Sequence, residues 1–349
     1  MEIEQMREAL LLLLRAGLGE NIDTSLPDMT SSGWQSVLKL AASQNVLPIV
    51  YDGFKRYHEK FGSDCSKETK LSLFSASQQA DKIYSSHLNA IQSLTKFFSE
   101  HGIRTMVLKG YALSLCYPNP SRRLCGDIDI YQFGDYKKAD ELVESYIGKS
   151  IDRTHHHHTV YVWQGITVEN HYDFVNVHAH KSSARLERQF KQLAADSSEC
   201  VGDVYLPSPN LHALFLLRHT GAHFAGESIT LRHLLDWLLF CKKYGEEVDW
   251  EYIERCAKES GCDTFMRCLQ SCCDRLMGRP YENIPLAERM WNDILQPEFD
   301  EAAPRNWRRI PFKARRWWHN RWKHRMVYSE TLIGQLLTLT YSHIRRPKC

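Results

Sequence analysis

Two aspartates near the middle of the chain are of the type and spacing that bind metal ions. Asp127 and Asp129 lie in the run Gly126–Tyr131, whose alternation with isoleucines is typical of a strand. Because alternate side chains of a strand share a face, the two carboxylates project together while the isoleucines enter the core. Adjacent carboxylates repel each other unless a cation lies between them. Hard divalent ions such as Mg²⁺ take oxygen ligands and bridge carboxylates to nucleotide phosphates, so the pattern predicts a metal–nucleotide site.

A third carboxylate is expected from a neighbouring strand. The run Ile166–Tyr172 alternates apolar residues with polar ones, which places Glu169 and His171 on the face opposite its core residues. Glu169 would complete a two-metal site, although Asp173 lies two residues further on and is an alternative. His171 either contacts the metal ligands without binding the metal itself or is an ordinary strand histidine, and we favour the second interpretation.

A lysine and a glycine lie between the first predicted strand and the helix that follows it. Lys109 and Gly110 come directly after the apolar run Ile103–Leu108. Glycine allows the backbone to approach a phosphate closely, and the N-terminus of a helix favours an anion. The sequence therefore predicts phosphate contacts at this turn.

Taken together, these segments resemble the uncharacterised nucleotidyltransferase family of the polymerase-β-like superfamily. The resemblance covers residues 107–171 and is carried by Leu108-Lys-Gly, Tyr117-Pro, Arg123, Gly126-Asp-Ile-Asp and Val168-Glu-Asn-His. It implies that two Mg²⁺ ions, or Mn²⁺, bind the catalytic carboxylates Asp127, Asp129 and Glu169. It also implies that the nucleotide contacts Lys109, Gly110 and Arg123.

The same resemblance selects Arg123 over its neighbour Arg122, which we expect to be exposed to solvent. The chain departs from the superfamily at Tyr111, where a small residue usually follows the glycine. No small hydroxyl is therefore available there to bind a phosphate, and Lys109 would compensate as a point charge.

The activity implied is transfer of a nucleoside monophosphate from an NTP to an acceptor, with release of pyrophosphate. The acceptor would be a small molecule, a protein or RNA. A toxin-type enzyme that modifies tRNA or protein is one alternative. A nucleotide-binding scaffold without turnover is another, and the unusual Gly110–Tyr111 turn favours it.

The surrounding pattern predicts an α+β fold, with a small mixed β-sheet flanked by helical regions. Leucine and alanine periodicity predicts helices at 6–18 and 34–42, and one or two helices over 67–100. Strands are expected at 103–108, 126–131, 159–163, 166–172 and 201–206, with helices at 111–116 and 134–147 between them. Further helices are predicted at 211–219, 231–244, 250–259 and 264–277. We divide the chain into an N-terminal helical region (1–100), the α/β core (101–207), a C-terminal bundle (208–303) and a tail (304–349).

Composition places the chain among folded globular proteins. Its 349 residues carry a net charge of +2, and no apolar run is long enough to cross a membrane. The N-terminal segment contains acids and does not match a secretory signal. The eleven cysteines form no disulfide framework, so we expect reduced core thiols in a cytoplasmic protein. Zinc binding at Cys262, Cys268, Cys272 and Cys273 is the alternative.

Several polar groups remain open to two interpretations. The run His155–His158 is expected to be an exposed loop, with metal binding as the alternative. His219 and His223 have the i, i+4 spacing of helical ligands, but we expect them to be structural because no HExxH pattern is present. Arg232 and Asp236 are either a surface ion pair or part of a cleft facing the catalytic strand.

The tail differs in charge from the rest of the chain. Residues 304–349 hold twelve basic residues and one acid, a charge of +11, which leaves −9 for residues 1–303. Four of the nine tryptophans lie among these arginines, at Trp307, Trp317, Trp318 and Trp322. The segment would pack on the acidic remainder of the chain or lie on an anionic membrane surface, with RNA binding as a third interpretation.

Overall fold

The N-terminal region is helical, as predicted. In the computed structural model, which describes residues 2–180, 182–197, 199–297, 309–331, 333–335 and 338, four helices precede the first strand. They are α1 (Glu2–Gly17), α2 (Ser31–Ser43), α3 (Leu47–Phe61) and α4 (Lys67–Glu100). The stretch from Lys67 forms one long helix rather than two, and it begins where the Ser66 hydroxyl accepts a hydrogen bond from the Thr69 backbone.

Helices α1 and α3 approach each other closely because each has a glycine at the contact. A Cβ atom added to Gly53 would lie 1.9 Å from the Leu13 carbonyl oxygen. One added to Gly17 would lie 2.2 Å from the carbonyl oxygen of Ile49. The backbones therefore meet where no larger residue fits. Helix α3 was not located in the sequence, where the mid-helix Gly53 weakens the helical pattern, although Pro48 in the first turn is typical of a helix start.

The central sheet is mixed and has six strands. In chain order they are β1 (Thr105–Val107), β2 (Ile128–Tyr131), β3 (His158–Trp163), β4 (Ile166–His171), β5 (Cys200–Val201) and β6 (Val204–Tyr205). Their spatial order is β3-β4-β2-β1-β6-β5. Strands β2 and β4 are parallel neighbours, whereas β1 pairs antiparallel with β2 and parallel with β6. The predicted strand at 201–206 is instead the short hairpin β5–β6, which turns at Gly202 in a left-handed conformation (φ 64°).

One face of this sheet carries the apolar core of the α/β region. Ile128, Ile130, Val168 and Tyr161 are buried there against α4 and α6 (Tyr136–Ile147). The opposite face of β2 and β4 carries acids and histidines. The strand alternation therefore sorts the side chains as predicted, with the isoleucines of β2 in the core.

Two further helices connect the strands. Helix α5 (Lys109–Ser114) follows β1 directly, and α7 (Ser183–Ala195) lies between β4 and β5. The highly charged α7 was not predicted, yet it buries Leu186 and Phe190.

The C-terminal helices pack on the N-terminal ones. They are α8 (Pro209–Gly226), α9 (Leu231–Tyr244), α10 (Trp250–Ser260), α11 (Asp263–Leu276) and α12 (Pro285–Leu295). One apolar core contains residues of α1–α4 together with residues of α8–α12. The ten described cysteines are free thiols, and those of α10 and α11 are buried. Among the described residues, no cysteine belongs to a group close enough to share a metal ion.

The described part of the tail packs on the body of the protein. It forms α13 (Arg309–His319) and α14 (Arg321–Val327). The buried Lys323 ammonium lies 2.6 Å from Asp293 of α12 and donates to the Glu227 carbonyl at 2.9 Å. Arg316 pairs with the Glu227 carboxylate at 2.8 Å. Intramolecular packing is thus confirmed for this segment, while Trp307 lies outside the described residues.

In the described part of the chain, no helix combines the length and the apolar character that crossing a membrane requires. Trp318 and the edge of Trp317 remain exposed on α13. A contact of the tail with a membrane surface stays a prediction.

Candidate active site

The three predicted carboxylates meet on one face of the sheet. Asp127 immediately precedes β2, and Asp129 is directly opposite Glu169 in the parallel pairing of β2 with β4. Asp129 is buried, while Asp127 and Glu169 are half-buried. The alternative third acid, Asp173, is directed elsewhere, since its carboxylate pairs with Lys191 at 2.5 Å. The register therefore favours Glu169 as the third carboxylate.

Lys109 provides the positive charge next to these acids. Its ammonium lies 2.7 Å from Oδ1 of Asp129. Burial raises the pKa of Asp129, but Lys109 and His171 outweigh burial and hold that pKa below its ordinary value. The pKa of Asp127 is raised, first by burial and then by the Asp129 carboxylate. A carboxylate whose ionisation is opposed by burial and by a neighbouring carboxylate would be stabilised by an additional cation.

The donor set fits a divalent cation. Ligand atoms of Asp129, Glu169 and His171 all lie within 4.8 Å of one another. The second carboxylate oxygen of Asp129, Oδ2, is buried and has no hydrogen-bond partner. A buried anionic oxygen without a partner is costly, and binding a cation would satisfy it. Carboxylate oxygens are the ligands that Mg²⁺ and Mn²⁺ prefer.

His171 lies inside the carboxylate cluster, so our interpretation of it as an ordinary strand histidine was wrong. Its Nε2 atom lies 3.1 Å from Asp129 Oδ1 and 3.6 Å from Glu169 Oε2. The sequence contained the signal, because His171 and Glu169 are two residues apart in a predicted strand and share a face.

The histidine run is only partly an exposed loop. His155 and His156 are exposed, as predicted, but His157 is half-buried and His158 is buried as the first residue of β3. His158 is paired with His171 across β3 and β4. The prediction of exposure was wrong for both residues. His158 belongs to β3 because the strand begins one residue earlier than expected, whereas His157 lies in the loop before it.

The turn after β1 brings Lys109 and Gly110 to the site. The helix α5 is broken at Gly110, whose φ and ψ are 2° and −88°. The Tyr111 side chain, which departs from the superfamily pattern, is buried in the sheet core. It therefore leaves the cleft side of the turn to Lys109 and to the backbone of Gly110.

Arg123 contacts this turn and forms a buried ion pair. Its guanidinium donates to Asp236 of α9 at 2.8 and 3.0 Å and to the Gly110 carbonyl at 3.2 Å. The Tyr117 hydroxyl donates to the same carboxylate at 2.8 Å. The hypothesis of a surface pair between Arg232 and Asp236 was wrong, and the cleft interpretation is confirmed, because Asp236 is 2% exposed and both residues line the cleft.

Arg122 also has partners that the sequence did not reveal. It is 8% exposed and pairs with Asp52 at 2.6 Å and with Asp81 at 2.8 Å. The prediction that it is solvated was wrong. Its partners lie on α3 and α4, so it joins the N-terminal helices to the loop before β2.

A cleft of about 480 Å³ opens in front of the carboxylates. Lys109, Asp127 and Asp129 form one wall. Helices α8 and α9 form the other, and their polar side chains in the cleft are His219, Thr220, His223, Arg232, His233 and Asp236. Sequence reasoning assigned His219 and His223 a structural role, whereas both face the cleft. Their i, i+4 spacing was the available signal.

The comparisons with known proteins agree with this geometry. The model of a family described as uncharacterised nucleotidyltransferase matches residues 30–278. The chain belongs to this family. Searches of curated proteins and of solved structures give no match. The matched segment begins at the N-cap of α2 and ends after α11, so it contains the whole sheet and both walls of the cleft.

Proposed function

We propose that this nucleotidyltransferase requires Mg²⁺ and transfers a nucleoside monophosphate from an NTP to an acceptor hydroxyl, releasing pyrophosphate. The observation that carries the proposal is the in-register pair of Asp129 and Glu169, with Asp127 beside them and Lys109 at 2.7 Å. Family membership supports the class of reaction. The metal, the nucleotide and the acceptor are our inference.

Asp127, Asp129 and Glu169 would hold the metal. Bound there, Mg²⁺ would neutralise the triphosphate and lower the pKa of the acceptor oxygen. Mn²⁺ would serve in its place, because the site offers a nitrogen ligand at His171 as well as carboxylate oxygens.

Lys109 would contact the triphosphate. Its ammonium lies at the wall of the cleft and pairs with the Asp129 carboxylate. A metal ion bound to that carboxylate would replace the lysine as its counter-charge. The lysine would then be available to phosphate oxygens, which a point charge of this kind binds without a strict geometry. Gly110 offers its backbone at the same wall.

For Arg123 the geometry favours a positioning role over the direct phosphate contact that the resemblance implies. The side chain is 5% exposed, and Asp236 and the Gly110 carbonyl engage its donors. It would hold the Lys109–Gly110 turn against α9 and so fix the distance between the two walls of the cleft. The phosphate contact itself stays a prediction.

The acceptor would lie between the carboxylates and the helices α8 and α9. A volume of about 480 Å³ accommodates a nucleotide together with part of a second molecule. The imidazoles of His219, His223 and His233 and the guanidinium of Arg232 offer donors and acceptors to a polar, hydroxyl-bearing compound.

Position-specific labelling tests the proposal. NTP labelled at the α-phosphate is incubated with the protein, Mg²⁺ and a fractionated pool of acceptors, in parallel with NTP labelled at the γ-phosphate. Transfer of an NMP puts the α-label on the acceptor and the γ-label in pyrophosphate. Label from the γ-position on the acceptor would instead indicate a kinase-type transfer and would overturn the proposal.

Two matched substitutions identify the third carboxylate. Glu169→Gln is expected to lower the transfer rate by at least about 100-fold, a typical loss when a group that stabilises transition-state charge is removed. Asp173→Asn, two residues further on, changes a carboxylate that pairs with Lys191 and should leave the rate within a few-fold. Equal effects of the two substitutions would contradict the assignment.

A further inference from the structure

Three histidines form a second cluster beside the carboxylates. Ligand atoms of His157, His158 and His171 all lie within 4.8 Å of one another. The ring centroids are 4.4 Å apart for His157 and His158 and 5.2 Å apart for His158 and His171. The strand pairing of His158 with His171 explains the proximity, and His157 joins them as the residue just before β3.

The surroundings of these rings suit metal ligands better than a purely structural role. His158 is 6% exposed, and the Nδ1 atoms of His157 and His158 are buried without a hydrogen-bond partner. Buried ring nitrogens without partners are costly, and coordination would satisfy them.

We propose that His157, His158 and His171 bind a borderline divalent transition ion of the Zn²⁺ class. Three imidazoles suit Zn²⁺, Co²⁺ or Ni²⁺, whereas Mg²⁺ prefers oxygen. A water molecule would supply the fourth ligand. This site adjoins the proposed Mg²⁺ site of Asp127, Asp129 and Glu169, and the two share His171.

The geometry needs only small side-chain movements. Tetrahedral Zn²⁺ with Zn–N distances of about 2.0–2.1 Å places ligand nitrogens about 3.3 Å apart. Coordination therefore requires these ring nitrogens, which now lie within 4.8 Å of one another, to move closer together. The exposed His155 and His156 border the cluster, so an ion can enter from solvent.

The test uses the full-length, EDTA-treated protein and Co²⁺ as a spectroscopic probe. Co²⁺ bound by three imidazoles in a tetrahedral site gives an intense visible absorption that octahedral Co²⁺ lacks, and Zn²⁺ should bleach it at one equivalent. His157→Gln is expected to weaken Zn²⁺ binding, measured by calorimetry, by at least about 100-fold. This residue is half-buried, so its substitution should preserve the fold, which circular dichroism checks.

Two matched variants separate this site from its neighbours. His156→Gln changes an exposed histidine of the same run and should keep both the affinity and the spectrum of the wild type. Asp127→Asn removes a proposed Mg²⁺ ligand and should keep the Co²⁺ spectrum, whether or not the protein transfers nucleotides. Binding that His156→Gln weakens as much as His157→Gln does would indicate chelation by a flexible histidine run. That result, or unchanged binding in His157→Gln, would overturn the proposal.

Discussion

Asp236 is a carboxylate on which several buried polar contacts converge. It accepts hydrogen bonds from Arg123, from the Tyr117 hydroxyl at 2.8 Å and from Arg232 at 3.3 Å. Burial raises its pKa, but Arg123 and Arg232 outweigh burial and hold the pKa below its ordinary value. The carboxylate therefore stays ionised and keeps the Arg123 charge compensated.

Replacing Asp236 by alanine should lower the free energy of unfolding by about 3–5 kcal/mol, because the Arg123 guanidinium is left buried without its counter-charge. Urea unfolding at pH 7 measures the loss. The control is Asp203→Ala in the exposed β5–β6 turn, which should change the free energy by no more than about 0.5 kcal/mol. Similar values for the two variants would show that the buried pair is not structural.

His212 makes the stability depend on pH. Burial lowers its pKa to about 3, with a smaller contribution from Arg123, whereas the unfolded chain titrates near the ordinary histidine pKa of 6.5. Between these values the unfolded state binds a proton that the folded state does not. The stabilisation is therefore complete above pH 6.5 and is lost as the pH falls toward 3, by at most about 1.4 kcal/mol per pH unit.

The variant His212→Gln removes the imidazole that binds this proton in the unfolded state. Its free energy of unfolding, measured in urea at pH 7, 6 and 5, should fall less steeply with acidification than that of the wild type. The difference in slope at pH 5 should approach about 1 kcal/mol per pH unit. Identical slopes would mean that the folded chain accommodates a charged His212.

At the scale of elements, the crossing of α1 and α3 depends on glycine. Gly53→Ala should destabilise the protein by about 3 kcal/mol, at the upper end of overpacking costs, because the new methyl group meets the backbone of Leu13 rather than a movable side chain. Thermal and urea unfolding measure the change. Gly33→Ala in α2 is the matched control, since its Cβ would meet the nearest atoms at an ordinary 3.5 Å.

The control substitution should leave stability unchanged or raise it by up to about 1 kcal/mol, because alanine costs less backbone entropy in a helix. A Gly53→Ala variant as stable as the wild type would mean that α1 and α3 separate at little cost.

The elements predicted from sequence are those whose own residues carry the pattern. The helix Leu231–Tyr244 was located to the residue from its apolar periodicity, and the alternation in Gly126–Tyr131 placed two acids on one face. Helices α3 and α7 were not located, although each buries an apolar face in the structure. Local pattern therefore identified segments with a clean period and failed where tertiary packing decides.

The candidate site also contains some residues whose positions the sequence predicts and others whose partners it does not reveal. Asp129 and Glu169 lie on strands, and Asp127 lies just before one, so the alternation of the sequence was enough to predict that they meet. The partners of Arg122 and Arg123 lie far away along the chain, at Asp52 and Asp236, and no local signal marks such long-range pairs.

At the scale of the whole molecule, the helical regions at both ends of the chain share one apolar core and enclose the sheet. The positive tail adds to this enclosure, since Lys323 of α14 is buried against Asp293 of α12. The carboxylates of β2 thus face α8 and α9 across a cleft whose walls come from different parts of the chain. This core contains residues from both sides of the boundaries in the four-part division, and that division stays a prediction.

The central claim is that this cleft binds an NTP through a metal held by carboxylates. Calorimetric titration with each of the four NTPs, with and without Mg²⁺ or Mn²⁺, tests it in the wild type and in an Asp127→Asn, Asp129→Asn variant. Removing two negative charges should by itself favour a polyanion, so a loss of binding in a double variant that circular dichroism shows to be folded reflects loss of the metal. Asp203→Asn is the control for the loss of a surface charge.

We predict that at least one NTP binds the wild type and the control only when the metal is present. The same NTP should bind the double variant at least about 100-fold more weakly, a loss of about 2.7 kcal/mol. Metal-independent binding, binding that survives in the double variant, or no binding of any NTP with either metal would contradict the claim.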